Sequence, residues 1–190
     1  LLARWMGVEA FGVYSYAWAW VAGLSTLASL GFPGTSVRFL ATYRVQANDA
    51  RVRGLLRFSR VLTLGSSLVI AAGAMALATV FARHSPYLHA LQAAFLGIPP
   101  MAFLGLEAAY ARGFHWMALS MVAEQIVRPV ALMILGWILM HFVAGATAPD
   151  YALMCVAAYS IAVLGQHIVV HKRIHATIGA GAATARARFA

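Results

Sequence analysis

The chain has 190 residues, of which 63% are hydrophobic and only 10% are charged, and its formal net charge is +9. About a quarter of the residues of an ordinary soluble domain are charged, so this composition excludes a typical soluble globular fold. The basic residues lie between apolar runs instead of along one face, which argues against nucleic acid as a partner and favours anionic membrane lipids.

The first apolar run covers residues 11–30 and contains no charge. About 20 helical residues cross the roughly 30 Å hydrocarbon core of a bilayer, so this run predicts a membrane-spanning helix. Its aromatic residues are concentrated in its first half, as expected near a membrane interface. Pro33, flanked by Gly31 and Gly34, predicts a break in the helix directly after the run.

A strongly basic segment follows at residues 31–60, with one acid, Asp49. Its arginines are Arg38, Arg44, Arg51, Arg53, Arg57 and Arg60. The first two lie in a short amphipathic segment that we expect at the interface, and Asn48 with Asp49 is a plausible N-cap for the next helix. Arg53, Arg57 and Arg60 fall on one face of this next helix. The helix is therefore predicted to present a basic face to the lipid headgroups.

The second and third predicted spans cover residues 61–82 and 87–110. The second is rich in alanine and glycine, which allow close packing of helices. The third contains Pro99 and Pro100, which remove helical hydrogen bonds and predict a kink. Two interpretations of the kink stay open: a bend tolerated against a neighbouring helix, and a bend beside a water-filled cavity. Glu107 follows near the cytoplasmic end of this span.

The fourth predicted span, residues 117–143, carries charge. Ser120, Glu124 and Arg128 recur every four residues and predict one polar stripe, with Gln125 beside it. Arg128 is eleven residues from the start of the span, about 16 Å deep, and Glu124 is placed to pair with it, which lowers the cost of either charge in lipid. In the alternative interpretation the helix begins in the cytosol and the membrane begins at Pro129. That leaves a short crossing of fifteen residues, so we favour the buried stripe.

The fifth predicted span covers residues 151–170, and a basic tail, residues 171–190, follows it. His167, His171 and His175 recur at the spacing that can hold zinc, but no carboxylate or cysteine accompanies them. We therefore interpret them as a row facing the headgroups and predict neither a metal site nor a cofactor.

The distribution of positive charge orients the five spans. With residues 31–60 in the cytoplasm, the inside segments hold eleven arginines and lysines, and the outside segments hold Arg4 and Arg83. This asymmetry places the N-terminus outside and the C-terminus in the cytoplasm. An outside N-terminus that does not begin with methionine suggests a piece of a longer chain.

Several short motifs resemble the bacterial oligosaccharide-lipid flippases, the polysaccharide biosynthesis branch of the multidrug/oligosaccharidyl-lipid/polysaccharide exporter superfamily. LARWMGVEAFGVY at residues 2–14 is similar to that family's "ARxLGxxxFGxY", and the pair at residues 30–31 followed by VRFLATYR at 37–44 is similar to "LG…VRFxAxYR". RGLLR at 53–57 is similar to "LRGLLR", while ARGF at 111–114 and EQIVRP at 124–129 resemble "LRG…EQxxRP". The motifs occur in the family's order over most of the chain.

The resemblance implies an all-α, polytopic membrane bundle in which residues 1–170 form most of one half of a two-lobed transporter that works by alternating access. Residues 171–190 would begin the cytoplasmic linker between the lobes. The implied function is not enzymatic: it is the transfer of a polyprenyl-diphosphate-linked oligosaccharide across the bacterial inner membrane. Alternatives are a cation-coupled multidrug exporter, or a membrane polysaccharide polymerase or ligase.

In this interpretation Arg128 contacts the diphosphate or sugar, since the arginine fork suits phosphate oxygens. Glu124 orients Arg128 or takes part in coupling to protons or sodium, and Glu107 is a secondary candidate for that role. Arg38 and Arg44 attract the headgroup at the cytoplasmic interface, and Gln125 adds to the polar lining.

Overall fold

The computed structural model describes residues 7–46, 48–81, 85, 87–143 and 146–187. Within these ranges the chain is helical and contains no strand, which confirms the all-α class. The connection between the second and third predicted spans, residues 83–86, lies outside the described residues except for Ser85. The helices in chain order are α1 (Val8–Ala28), α2 (Phe32–Val45), α3 (Asp49–Phe81), α4 (Leu88–Phe95), α5 (Ile98–Gly113), α6 (Met117–Val122), a π-helical segment (Ala123–Val127), α7 (Arg128–Phe142) and α8 (Ala148–Ala187).

Four helical stretches are long and apolar enough to cross a membrane: Asp49–Phe81, Leu88–Gly113, Met117–Phe142 and Ala148–Ile174. They correspond to the second to fifth predicted spans and confirm a membrane helical bundle. Helix α1 has 21 residues, enough for about 30 Å, but it is not among these four stretches. Its crossing of the membrane stays a prediction.

The breaks predicted in the basic segment are present. Leu30 and Gly31 adopt positive φ angles of 49° and 71°, and α2 then begins with Pro33 in its first turn, where a missing N–H costs nothing. The side-chain Oδ1 of Asn48 accepts a hydrogen bond from the backbone N–H of Arg51 at 3.1 Å. Asn48 therefore caps α3 as its residue type predicts.

The third span is bent between α4 and α5. Gly97 lies at the bend, where an added Cβ would come within 2.9 Å of the Ala94 carbonyl oxygen and 3.1 Å of the Trp18 ring. Pro99 and Pro100 fall in the first turn of α5, where proline is tolerated. The predicted kink is confirmed, and α1 packs closely against it.

Helix α5 is the centre of the bundle, because it packs against α1, α2, α3, α6 and α8. Leu106, Glu107 and Tyr110 on this helix have no exposed surface. A carboxylate therefore lies in the most enclosed helix of the bundle.

The fourth span departs from the predicted regular helix. A π-helical turn, Ala123–Val127, separates α6 from α7, and the backbone N–H of Arg128 donates to the carbonyl of Ala123, five residues earlier. Pro129 follows at once and cannot donate to the carbonyl of Gln125. The regular α-helix expected for this span is therefore wrong at Ala123–Val127, the wider turn that carries Glu124.

Candidate functional site

Two groups of polar side chains lie inside the bundle. The carboxylate cluster consists of Arg60 on α3, Glu107 on α5 and His167 on α8. The arginine cluster lies nearer the N-terminal end of α8. Its members are Arg128, Tyr159, Tyr14 and Cys155.

The carboxylate cluster is centred on one oxygen atom. Glu107 Oε1 accepts a hydrogen bond from Arg60 Nε at 3.0 Å, and Arg60 Nη2 lies 3.0 Å from the same oxygen. His167 Nδ1 approaches this oxygen to 2.9 Å. The Glu107 side chain is fully buried, while those of Arg60 and His167 are 19% and 35% exposed. Because an unpaired buried charge is strongly unfavourable, the arginine is what allows an ionised carboxylate at this depth.

Arg60 is held in place by aromatic and hydroxyl groups as well as by the carboxylate. Its guanidinium lies 5.3 Å from the centre of the Tyr110 ring, a distance that gives a favourable cation–π interaction. The hydroxyl of Tyr110 is in turn 2.6 Å from Ser59 Oγ. These contacts fasten α3 to α5 around the carboxylate.

The sequence interpretation missed two members of this cluster. Arg60 was expected on a headgroup-facing basic surface and His167 in a headgroup-facing row, but both point at Glu107 inside the bundle. Arg53 and Arg57 are exposed as predicted. The available signal was that Arg60, Glu107 and His167 each lie at or within an apolar run, where an ionisable side chain needs a partner.

The arginine cluster surrounds Arg128, which begins α7 and is half-buried. Its Nη1 donates to the hydroxyl of Tyr159, and the guanidinium lies 5.1 Å from the centre of that ring. Trp18 packs between Tyr159 and Tyr14, with ring centres 5.4 Å and 6.0 Å apart. The Tyr14 hydroxyl reaches Cys155 Sγ at 3.0 Å, so an aromatic stack from α1 to α8 positions the guanidinium.

Part of Arg128 remains available to a ligand. Its Nε is buried and has no hydrogen-bond partner among the described residues. A guanidinium presents five N–H donors in a fixed plane, and the tyrosine uses one of them. The rest can bind oxygens of an anionic group.

A cavity of about 260 Å³ adjoins this cluster, and Tyr159 forms part of its wall. Glu124 on the π-helical segment also lines the cavity. The rest of the lining consists of hydroxyl-bearing residues at the C-terminal end of α1, Pro33, and apolar residues in the first turns of α5. The lining residues are Ser25, Thr26, Ser29, Pro33, Met101, Ala102, Leu104, Gly105, Glu124 and Tyr159. The lining from the third span begins at Met101, one turn after the bend, and the cavity contains both polar and apolar groups.

The predicted pair of Glu124 and Arg128 is not formed. In the described part of the chain, the acid that makes ion pairs within 4 Å is Glu107, and Glu124 is exposed on the π-helical turn. Glu124 instead lines the cavity, together with Tyr159. Gln125 is exposed too and is not among the residues that line the cavity.

Arg38 and Arg44 lie on α2, apart from both clusters. Arg38 is exposed and lines a surface pocket of about 510 Å³ with Gly31, Gly34, Thr35, Phe39 and Thr42. Arg44 Nη1 is 3.4 Å from the Gly113 carbonyl oxygen, and its guanidinium lies 4.9 Å from the centre of the Phe114 ring. Arg44 therefore connects α2 to the end of α5.

Within the described residues, no three histidine, cysteine, aspartate or glutamate side chains are grouped so that they could hold a metal ion. The sequence model of a family described as polysaccharide biosynthesis protein matches residues 1–183. No curated protein and no solved structure matches the chain.

Proposed function

The chain belongs to the polysaccharide biosynthesis protein family, and we propose that it serves there as a membrane transporter and not as an enzyme. Its substrate is a polyprenyl-diphosphate-linked oligosaccharide, which moves from the cytoplasmic to the outer leaflet of the bacterial inner membrane. Family membership supports the pathway, and the membrane bundle supports a transport step within it.

The observation that carries the proposal is Arg128, a guanidinium held in a membrane-spanning segment by an aromatic stack. A lipid-linked sugar has an anionic diphosphate that must pass the hydrocarbon core while its tail stays in lipid. Arginine binds phosphate oxygens through two parallel N–H bonds, and the stack with Tyr159 fixes the plane of the fork. Arg128 therefore lowers the barrier for the most highly charged part of the substrate.

The neighbouring cavity suits the sugar part of the same substrate. Serine and threonine hydroxyls and a carboxylate, which line it, form hydrogen bonds with sugar hydroxyls. Its apolar side, formed by Met101, Leu104 and Pro33, can pack against the faces of sugar rings. At about 260 Å³ it accommodates one or two sugar units of a longer glycan, so the remainder would extend beyond these residues.

The positive charge of the cytoplasmic segments supports the remaining parts of the proposal. It orients the bundle with residues 31–60 and the tail inside, where they contact anionic lipid headgroups. Arg38, exposed beside its surface pocket, is the group that first attracts the diphosphate. Arg44 uses its guanidinium to join α2 to α5, so its role is to position that helix.

The test is replacement of Arg128 by Ala in the full-length reading frame, with Arg57→Ala as the matched control. Arg57 is exposed on α3 and its loss changes the net charge equally. We expect Arg128→Ala to abolish surface polysaccharide and to accumulate the lipid-linked oligosaccharide in the cytoplasmic leaflet, with normal amounts of the protein in the membrane. Arg57→Ala should leave surface polysaccharide unchanged.

The same experiment separates the alternative functions. Accumulation of single repeat units in the outer leaflet would indicate a polymerase or ligase instead of a flippase. Unchanged polysaccharide with increased drug sensitivity would indicate a multidrug exporter. Normal polysaccharide and normal drug resistance in Arg128→Ala would remove Arg128 from the mechanism.

A further inference from the structure

Glu107 uses only one of its two carboxylate oxygens. Oε1 receives Arg60 and His167, whereas Oε2 is buried without a hydrogen-bond partner among the described residues. Burying an acceptor without a donor is costly, and so is burying the arginine–glutamate pair itself. A purely structural role would be served as well by apolar residues, so the cost points to a function for the cluster.

His167 is the member of the cluster that can exchange a proton. Arginine stays protonated at all relevant pH values, and Glu107 lies against Arg60 and has no exposed surface. Histidine changes charge in the physiological range, and the His167 side chain is 35% exposed. Protons therefore reach the cluster through the imidazole.

The geometry fixes where this proton binds. Glu107 Oε1 already accepts a hydrogen bond from Arg60 Nε, so His167 Nδ1 carries the hydrogen of the 2.9 Å contact with this oxygen. The additional proton then binds at Nε2 and turns the neutral ring into an imidazolium. A hydrogen bond from an imidazolium to a carboxylate is stronger than one from a neutral ring.

We infer that Glu107 and His167 form a buried proton-binding site that fastens α8 to α5. When the proton is bound, the charged ring is held to the carboxylate, and through Arg60 the contact extends to α3. When the proton leaves, α8 is attached by the weaker neutral bond. The inference concerns a different site from Arg128 and does not depend on transport, so its failure would leave the proposed function standing.

Few other ionisable groups surround this site. The ring of His167 packs between those of Phe103 and His171, with centres 5.8 Å and 5.7 Å away. Tyr110 lies one turn from Glu107 on α5. Arg60 is the charged residue of α3 that contacts Glu107. The ionisable residues of the other packed elements lie farther along them: Arg44 of α2 at Gly113, His89 at the start of α4, Glu124 at the cavity, Arg128 at Tyr159 and His141 against Trp137. The described side chains of α1 and α6 carry no charge.

The direct test is nuclear magnetic resonance of the full-length protein in lipid nanodiscs, with histidines labelled with ¹⁵N and the pH varied from 5 to 8.5. His167→Gln identifies the relevant resonances, and His89→Gln, at an exposed position of α4, is the matched control. We expect His167 Nδ1 to remain protonated throughout while Nε2 gains a proton on acidification, and the midpoint of that titration to change in Glu107→Gln. A His167 ring that keeps one protonation state over the whole range, or the same midpoint in Glu107→Gln, would overturn the inference.

The consequence for helix attachment is tested by thermal unfolding in the same nanodiscs at pH 6 and pH 8. A proton bound in the folded state adds stability that is present at the lower pH and is lost as the pH rises. From pH 8 to pH 6, the melting temperatures of the wild type and of His89→Gln should therefore rise by a few degrees more than the melting temperature of His167→Gln. An equal change in the melting temperature of His167→Gln would show that the proton does not fasten α8. If a variant fails to fold, the titration of the wild type still decides whether the proton binds.

Discussion

Replacing Arg60 by Ala tests how the bundle tolerates the buried carboxylate. The substitution leaves Glu107, which has no exposed surface, without its permanent positive partner. Removing one member of a buried ion pair costs about 3–5 kcal/mol. Arg60 is 19% exposed and His167 still donates to the same oxygen, so we expect the lower end, about 3 kcal/mol.

This loss is large enough to measure by thermal unfolding of the purified protein. A loss of 1 kcal/mol lowers the melting temperature of a chain of this size by about 2–4 °C, so Arg60→Ala should melt about 6–12 °C below the wild type. Arg57→Ala removes an equal charge from an exposed position of the same helix. It should stay within about 0.5 kcal/mol of the wild type.

A double variant distinguishes a lost ion pair from lost packing. Arg60→Ala combined with Glu107→Gln removes both charges, so no unpaired carboxylate remains in the bundle. The double variant should melt above Arg60→Ala alone, because coupled residues are not additive. The reasoning is refuted if Arg60→Ala melts at the same temperature as Arg57→Ala. It is also refuted if adding Glu107→Gln to Arg60→Ala lowers the melting temperature further.

Two further predictions concern the bend and the arginine cluster. Gly97→Ala should destabilise the protein by about 1–3 kcal/mol in the same unfolding assay, because the new Cβ meets the Ala94 carbonyl and the Trp18 ring. The control is Gly105→Ala, whose new Cβ meets nothing within 4 Å. It should be neutral or stabilising. Similar losses in the two alanine variants would contradict the close packing at Gly97. Tyr159→Phe keeps the ring but removes the acceptor for Arg128, and it should reduce surface polysaccharide several-fold at unchanged protein level in the membrane. If polysaccharide stays normal, the hydroxyl does not position the guanidinium.

The features that the sequence predicted correctly are those decided by local chemistry. Hydropathy over about 20 residues locates the second to fifth spans, and glycine and proline locate the breaks before α2 and between α4 and α5. The Asn48 cap follows from its side chain alone. None of these requires knowledge of which helices meet.

The carboxylate cluster could not be predicted in this way, because its members are far apart in sequence. Arg60, Glu107 and His167 meet only because α3 and α8 both pack against α5. Their positions within apolar runs indicate that each needs a partner but do not say which. The fold alone supplies that pairing.

The error at Glu124 and Arg128 has a different origin. The argument from a spacing of four residues assumes a regular α-helix, whereas Ala123–Val127 is a π-helical turn. Proline indicates where a helix is disturbed but not whether it bends, widens or ends. Arg128 consequently found its partner in Tyr159, on another helix.

The central claim is that an anionic lipid-linked sugar passes Arg128 within the bundle. The most direct measurement is the rate at which a fluorescent polyprenyl-diphosphate oligosaccharide crosses the bilayer of liposomes that contain the purified full-length protein. We predict rapid crossing with the wild type and Arg57→Ala, and crossing no faster than in protein-free liposomes with Arg128→Ala. Crossing at the wild-type rate in Arg128→Ala would contradict the claim.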